Sequence, residues 1–174
     1  MIKAIGFPIY LVVALPVAPI FGRTTLRRRR PSSAFDELAD RHGLEKIKTI
    51  GDAYMAAAGV SFPHHNHAAA NARMALDMHE TIEKFSRQSQ SALKMRIGIC
   101  TGPVIAGIIG RNKFIHDLWG GTVNTASRME SHGVPGSTHV AATTYELLRD
   151  RFLFEERGTI EVKGAMKTYF LCPA

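Results

Sequence analysis

Two short apolar runs, Leu44–Ile50 and Ala53–Val60, are separated only by Gly51-Asp52. That punctuation constrains the fold more than any other feature of the chain. The alternation Leu44, Lys46, Ile47, Lys48 ahead of a Gly-Asp pair predicts a β-hairpin with the glycine near its turn. Helical patterns flank it. In Ala34–His42, residues Phe35, Leu38 and Ala39 fall on one face, and Gly43 follows as a C-cap. From His67 to Phe85, alanines recur at helical spacing with Met74, Leu76, Met78, Ile82 and Phe85. A helix, a hairpin and a second helix in that order predict an α+β architecture.

The same pattern continues downstream. Lys94–Gly102 and Ile115–Trp119 read as strands, Thr122–Glu130 as a helix stopped by Gly133-Val134-Pro135-Gly136, and Thr143–Arg149 as a short helix. Phe152–Glu156, Thr159–Lys163 and Thr168–Leu171 read as closing strands. Cys100 and Cys172 are the only cysteines. They exclude a disulfide scaffold and a four-cysteine zinc site.

Charge divides the chain. Residues 1–31 contain Lys3, Arg23 and Arg27–Arg30 and no Asp or Glu, so this segment accounts for all but one unit of the net charge of +7. Residues 4–22 are uncharged, close to the length of a membrane span. Positive charge after such a run would leave the following part in the cytoplasm. Pro8, Pro16 and Pro19 oppose a helix there. Two readings of residues 1–31 stand: membrane contact through residues 4–22, or a leader outside the fold, including one left by a frameshift or a misassigned start. The arginine run is read as a solvated flank, with no nucleic-acid partner. Residues 32–174 are the folded domain.

Three constellations could carry chemistry. The first is Lys46-Ile47-Lys48-Thr49-Ile50-Gly51-Asp52, where an acidic residue at a hairpin tip could hold a metal beside phosphate; a plain turn is the competing reading. In the second, Asp117-Leu118-Trp119-Gly120-Gly121-Thr122-Val123-Asn124-Thr125-Ala126-Ser127-Arg128, an amide and a guanidinium share one helical face. The third, Val162-Lys163-Gly164, puts a lysine within reach of a phosphate.

In combination these motifs become specific. The strings FDELADRHGLEKIKTIGDAYM, RIGICTGPVIAGIIG, DLWGGTVNTASRMESHGVPG and RGTIEVKG resemble, in order, the catalytic domain of class III nucleotidyl cyclases. The resemblance covers roughly Ser33 to Leu171. It implies a ferredoxin-like βαββαβ core and conversion of a nucleoside triphosphate to its 3′,5′-cyclic monophosphate and pyrophosphate. It also implies two divalent metals, Mg2+ or Mn2+, at sites shared by a homodimer or heterodimer. By resemblance Asp52 is a metal ligand, Lys48 and Asp117 read the base, Asn124 orients the ribose, Arg128 stabilises charge at the α-phosphate and Lys163 binds phosphate. A lysine donor beside an aspartate acceptor suits adenine, with its N1 acceptor and N6 donor. ATP is therefore the expected nucleotide.

The departures are as informative. The family's first metal aspartate lies in a motif of the type Phe-x-Asp-Ile-x-Gly-Phe-Thr, and no acidic residue precedes Asp36 here. The domain is thus expected to be N-terminally incomplete, with one protein ligand for two metals, an unpaired sheet edge where the first strand is lost, and doubtful activity of the isolated chain. A catalytically dead or complementing dimerisation and ATP-binding module is the alternative. Gly121, His116 and Cys100 also stand where the family usually has Asp, Tyr and His.

Overall fold

The computed structural model describes residues 2–16, 31–62, 65–90, 92–109, 115–161 and 164–173. The chain runs β1 (Ile2–Pro16), α1 (Pro31–His42), β2 (Glu45–Ile50), β3 (Ala53–Ala58), α2 (His67–Ser89) and β4 (Met95–Ile109). It continues with β5 (Ile115–Trp119), α3 (Gly121–Ser131), β6 (Thr138–Ala141), α4 (Ala142–Leu148), β7 (Leu153–Glu161) and β8 (Ala165–Cys172). One sheet has the order β2-β3-β1-β4-β6-β8-β7, with β5 paired to β4. The first four strands carry the ferredoxin-like βαββαβ topology that the motifs implied.

Residues 2–16 correct one expectation. They form a strand between β3 and β4, antiparallel to both, so no sheet edge is left open there. The physical reason is composition: beyond Lys3 the run is uncharged and rich in Ile, Val and Leu, which suits a central strand. The prolines fit as well. The β1–β4 register shifts between Ile5 and Ile9, and Pro8 and Pro103 both fall at that irregularity, where neither is asked for a ladder N–H. Residues 2–16 thus pair with β4, and Tyr10–Ala14 with β3 as well, instead of forming an apolar helix. Residues 17–22 lie outside the described residues, and among those described no helix is long and apolar enough to cross a membrane. What the N-terminal end lacks is the acidic motif, not the strand.

The sheet is covered on both faces. Along β3, Tyr54, Ala56 and Ala58 join Phe35, Leu38, Met74, Met78, Ile97 and Ile99 in one core. The alternate residues Met55 and Ala57 join Cys100, Val104, Ala126 and Met129 in the other. The period-2 alternation therefore assigns α1 and α2 to one side and α3 to the opposite side. Burial pushes the Cys100 thiol up to about 11, as expected of an inert packed cysteine.

One buried and one partly buried imidazole brace β6. The Nδ1–H of His139 donates to the Met129 carbonyl at 2.8 Å, which fixes the tautomer and leaves Nε2 to accept from Arg157 at 3.4 Å. His79 Nε2 meets Thr138 Oγ1 at 3.0 Å. Burial lowers both to about 4. Unfolded, each takes its proton near pH 6.5. The stability they allow is therefore whole above that value and drains away as pH falls toward 4. Urea unfolding at pH 7.5 and pH 5 should show a loss of up to about 2 kcal/mol per imidazole. His79→Gln should shrink the loss, and equal stability at the two pH values would refute the linkage.

Candidate active site

The β2–β3 hairpin positions two of the motif residues. Asp52 sits at its tip beside Gly51, whose φ of +61° is the left-handed conformation the turn requires. The Asp52 side chain is exposed and has no hydrogen bond or ion pair among the described residues. The β2–β3 register shifts between Lys46 and Lys48, a bulge that re-aims the strand at Lys48.

Lys48 then reaches across to β5. Its Nζ lies 2.6 Å from Asp117 Oδ2, with side chains 29% and 15% exposed. The other Asp117 oxygen, Oδ1, accepts the Leu118 backbone N–H at 2.8 Å. The carboxylate is held from two directions, and a donor stands directly beside an acceptor. Those residues are 69 apart in sequence.

Asn124 and Arg128 project from the exposed face of α3, while Thr122, Ala126, Met129 and Glu130 on its other face are buried. The helix begins after Gly120, whose φ is +134°. It is pinned by Thr122 Oγ1 donating to the Pro103 carbonyl at 2.7 Å. Neither the Asn124 nor the Arg128 side chain has a hydrogen-bond or ion-pair partner among the described residues, so both present their full polar capacity to solvent. Lys163, the remaining motif residue, lies outside the described residues.

The structure adds supports that sequence reasoning missed. Tyr54 Oη donates to Asp36 Oδ1 at 2.9 Å, and Lys46 Nζ lies 2.8 Å from the same oxygen and 5.3 Å from the Tyr54 ring centroid. Burial, followed by the hydrogen bond to Asp36, raises the Tyr54 phenol far above its ordinary range. This knot ties α1 to the root of the hairpin. On the other face, Arg96 Nε donates to Glu130 Oε1 at 2.9 Å, with Glu130 almost wholly buried. Burial raises the Glu130 carboxyl, Arg96 opposes the rise, and the nearby charge of Asp52 adds to it. The alternation of β2 marks Lys46 as outward-facing, but no local signal pairs it with Asp36.

Does this residue set fit two divalent metals? Among the described residues no group of three or more His, Cys, Asp or Glu side chains could hold a metal ion. Asp52 is available. Asp36 is committed to Tyr54 and Lys46, Glu130 to Arg96 and Asp117 to Lys48. A metal pair needs several anionic oxygens, and this chain offers one free carboxylate at the tip. The set does not fit the pair.

Comparison with known proteins identifies the family. The family model for the "Adenylate and Guanylate cyclase catalytic domain" matches residues 30–173. An adenylate cyclase of Mycobacterium tuberculosis is 47% identical over 141 residues, spanning 80% of this chain and 32% of the relative. The human guanylate cyclase soluble subunit beta-2 is 46% identical over 143 residues, spanning 80% of this chain and 23% of the relative. The chain thus spans a third or less of the length of these relatives. The guanylate cyclase domain of RhGC from Catenaria anguillulae, solved in complex with GTP, superposes with a TM-score of 0.87 at 32% identity, covering 96% of this chain and 97% of that one. Relatives named as adenylate cyclases and as guanylate cyclases both match the chain, and the chain belongs to the family of adenylate and guanylate cyclase catalytic domains.

Proposed function

We propose that this cyclase domain reads ATP and serves its conversion to 3′,5′-cyclic AMP and pyrophosphate. The observation that carries the reading is the Lys48–Asp117 pair, an ammonium donor 2.6 Å from a carboxylate acceptor at the β2–β5 contact. Adenine offers N1 as an acceptor and the N6 amine as a donor, so the pair meets both groups of its edge. Guanine offers N1–H and N2–H donors and the O6 acceptor, and places the wrong partner at both positions. The Leu118 N–H holds Asp117 in place before any ligand arrives, which reduces the ordering cost of recognition.

The other motif residues serve the sugar and the reacting phosphate. Asn124 supplies an amide to orient the ribose. Arg128, one helical turn away, supplies a fixed positive fork where negative charge develops at the α-phosphate. In the overall reaction the ribose 3′-oxygen forms a bond to the α-phosphorus, its proton leaves to solvent, and the bond to the pyrophosphate oxygen breaks. Lys163 takes the leaving phosphates by resemblance. A dimer of cyclase domains is the assembly in which this proposal applies.

Displacement of a fluorescent ATP analogue from the purified chain in Mg2+ tests the base assignment. ATP should displace the probe at a concentration ~10-fold or more below GTP, the discrimination expected of mismatched polar partners. Equal potency, or a preference for GTP, would overturn it.

A second reading has its own observation. The solitary Asp52 favours a module that binds nucleotide without turning it over alone.

A further inference from the structure

We infer that residues 1–174 do not build the metal pair themselves, and that they complete a cyclase site only as the nucleotide-reading partner of a different chain that brings its own metal carboxylates. The inference rests on the nucleotide reading above and extends it to the kind of partner the chain needs. Its basis is the strand next to Asp52. The β1–β3 ladder ends at the pair Ala14–Tyr54, so β1 finishes at Pro16, two residues beyond the pair, at the end of the sheet where Asp52 turns. The Pro16 side chain can offer no ligand, and no residue from Met1 to Phe35 is acidic. The position is filled by chain, not vacant, so the deficit is in side chains.

Rearrangement within the chain does not repair it. Glu130 is near enough to sense the charge of Asp52, yet it is buried on the inner face of α3 and held by Arg96. Freeing it would leave Arg96 without its partner and α3 displaced. Asp117 and Asp36 are likewise committed. A second copy of this chain does not help either, because a symmetric pair brings the same residues to both sites. The unused assets are all on the nucleotide side: Asn124 and Arg128 are exposed on α3, and Lys48 and Asp117 are already placed. A partner with an acidic residue at the end of its first strand supplies what is missing.

Two measurements test this. In the first, Mn2+ alone is titrated into the full chain and free Mn2+ is followed by electron paramagnetic resonance. The chain should show no site tighter than ~1 mM, the range of weakly charged oxygen sites. Asp52→Asn should change the titration less than ~2-fold, whereas Pro16→Asp should tighten binding ~10-fold or more. If Pro16→Asp fails to fold by circular dichroism, the wild-type and Asp52→Asn titrations still decide. Two Mn2+ bound per chain at micromolar concentration, lost in Asp52→Asn, would overturn the inference.

In the second, cyclic AMP is measured with Mn2+ and ATP. The partner is a homologous cyclase chain with an acidic residue in its first strand, inactivated by replacing its own base-reading pair. Each chain alone should be silent. The mixture should yield product ~10²-fold above either alone, and Arg128→Ala in this chain should remove it. Product from this chain alone, or none from the mixture while the chain binds ATP, refutes the partner requirement. Failure of the chain to bind ATP at all would instead refute the nucleotide reading and leave the Mn2+ result standing.

Discussion

Gly98→Val is expected to prevent the chain from folding, and Gly98→Ala to cost about 2–3 kcal/mol. Gly98 lies near the start of β4, paired on both sides, level with Val13 of β1 and His139 of β6. α3 rests directly on it. A Cβ built there collides with the Ala126 carbonyl oxygen and the Glu130 backbone nitrogen. Both obstacles are backbone atoms of a helix, so no rotamer change relieves the clash and α3 must lift from the sheet. Lifting it pulls Met129 and Ala126 from their core and disturbs the Arg96–Glu130 bond. For a domain of this size each kcal/mol moves the melting temperature by about 2–4 °C. Gly98→Ala should therefore melt several degrees lower, and its loss of nucleotide binding should follow the displacement of Asn124 and Arg128. Gly121→Ala is the control. It sits at the first position of the same helix, where an added Cβ meets nothing within 4 Å, and should melt within a degree or two of wild type. Similar melting shifts for both variants would contradict the close α3–β4 approach.

The parts of the fold that were legible in the sequence share one property: their signal is local and periodic. α1, the β2–β3 hairpin, the start of α2, β5 and α3 all show a single face or a strict alternation. β1 was not legible. A central strand of continuous apolar residues has no alternation to read, and its prolines argued against a helix without pointing to a strand. Pro8 settles at a register break shared with Pro103, which only the paired structure reveals. β6 escaped for a related reason: four residues, all buried, give no pattern. β4 extends through Pro103 to Ile109, because its partner β1 shifts register at the same level. β7 is one strand where two short ones were expected; Gly158, with φ +109°, sits at a register shift and not at a turn. At the site, the motif residues were singled out by their resemblance to the family, and the lack of an acidic residue before Asp36 was plain from the sequence. The bond between Lys48 and Asp117 was not, since it joins residues 69 apart through the meeting of two strands. Nor was the Asp36–Tyr54–Lys46 knot, whose members belong to separate elements and acquire their meaning from packing.

Exchanging Lys48→Glu together with Asp117→Cys is expected to move nucleotide preference from ATP toward GTP by ~10²-fold or more. The size follows from the geometry. Under the proposed base reading each native side chain faces one polar group of the base, and a mismatch leaves a half-buried donor or acceptor unpaired, at about 1–3 kcal/mol each. The double exchange reverses both preferences: a carboxylate now accepts from guanine N1–H and the 2-amino group, and a neutral thiol tolerates O6. The single variants should behave differently from the sum of their parts. Lys48→Glu alone sets two carboxylates side by side where an ion pair stood at 2.6 Å. Repulsion between them should loosen the β2–β5 contact and weaken both nucleotides. Asp117→Cys alone leaves the Lys48 ammonium without its anion and with a base edge half matched. It should weaken ATP while gaining little for GTP. The four proteins form a double-mutant cycle, and the coupling between the two positions should exceed ~1 kcal/mol because the residues touch. Competitive displacement of a fluorescent nucleotide by ATP and GTP across the cycle measures it directly. Strict additivity, or an ATP preference that survives the double exchange, would show that the base is read elsewhere.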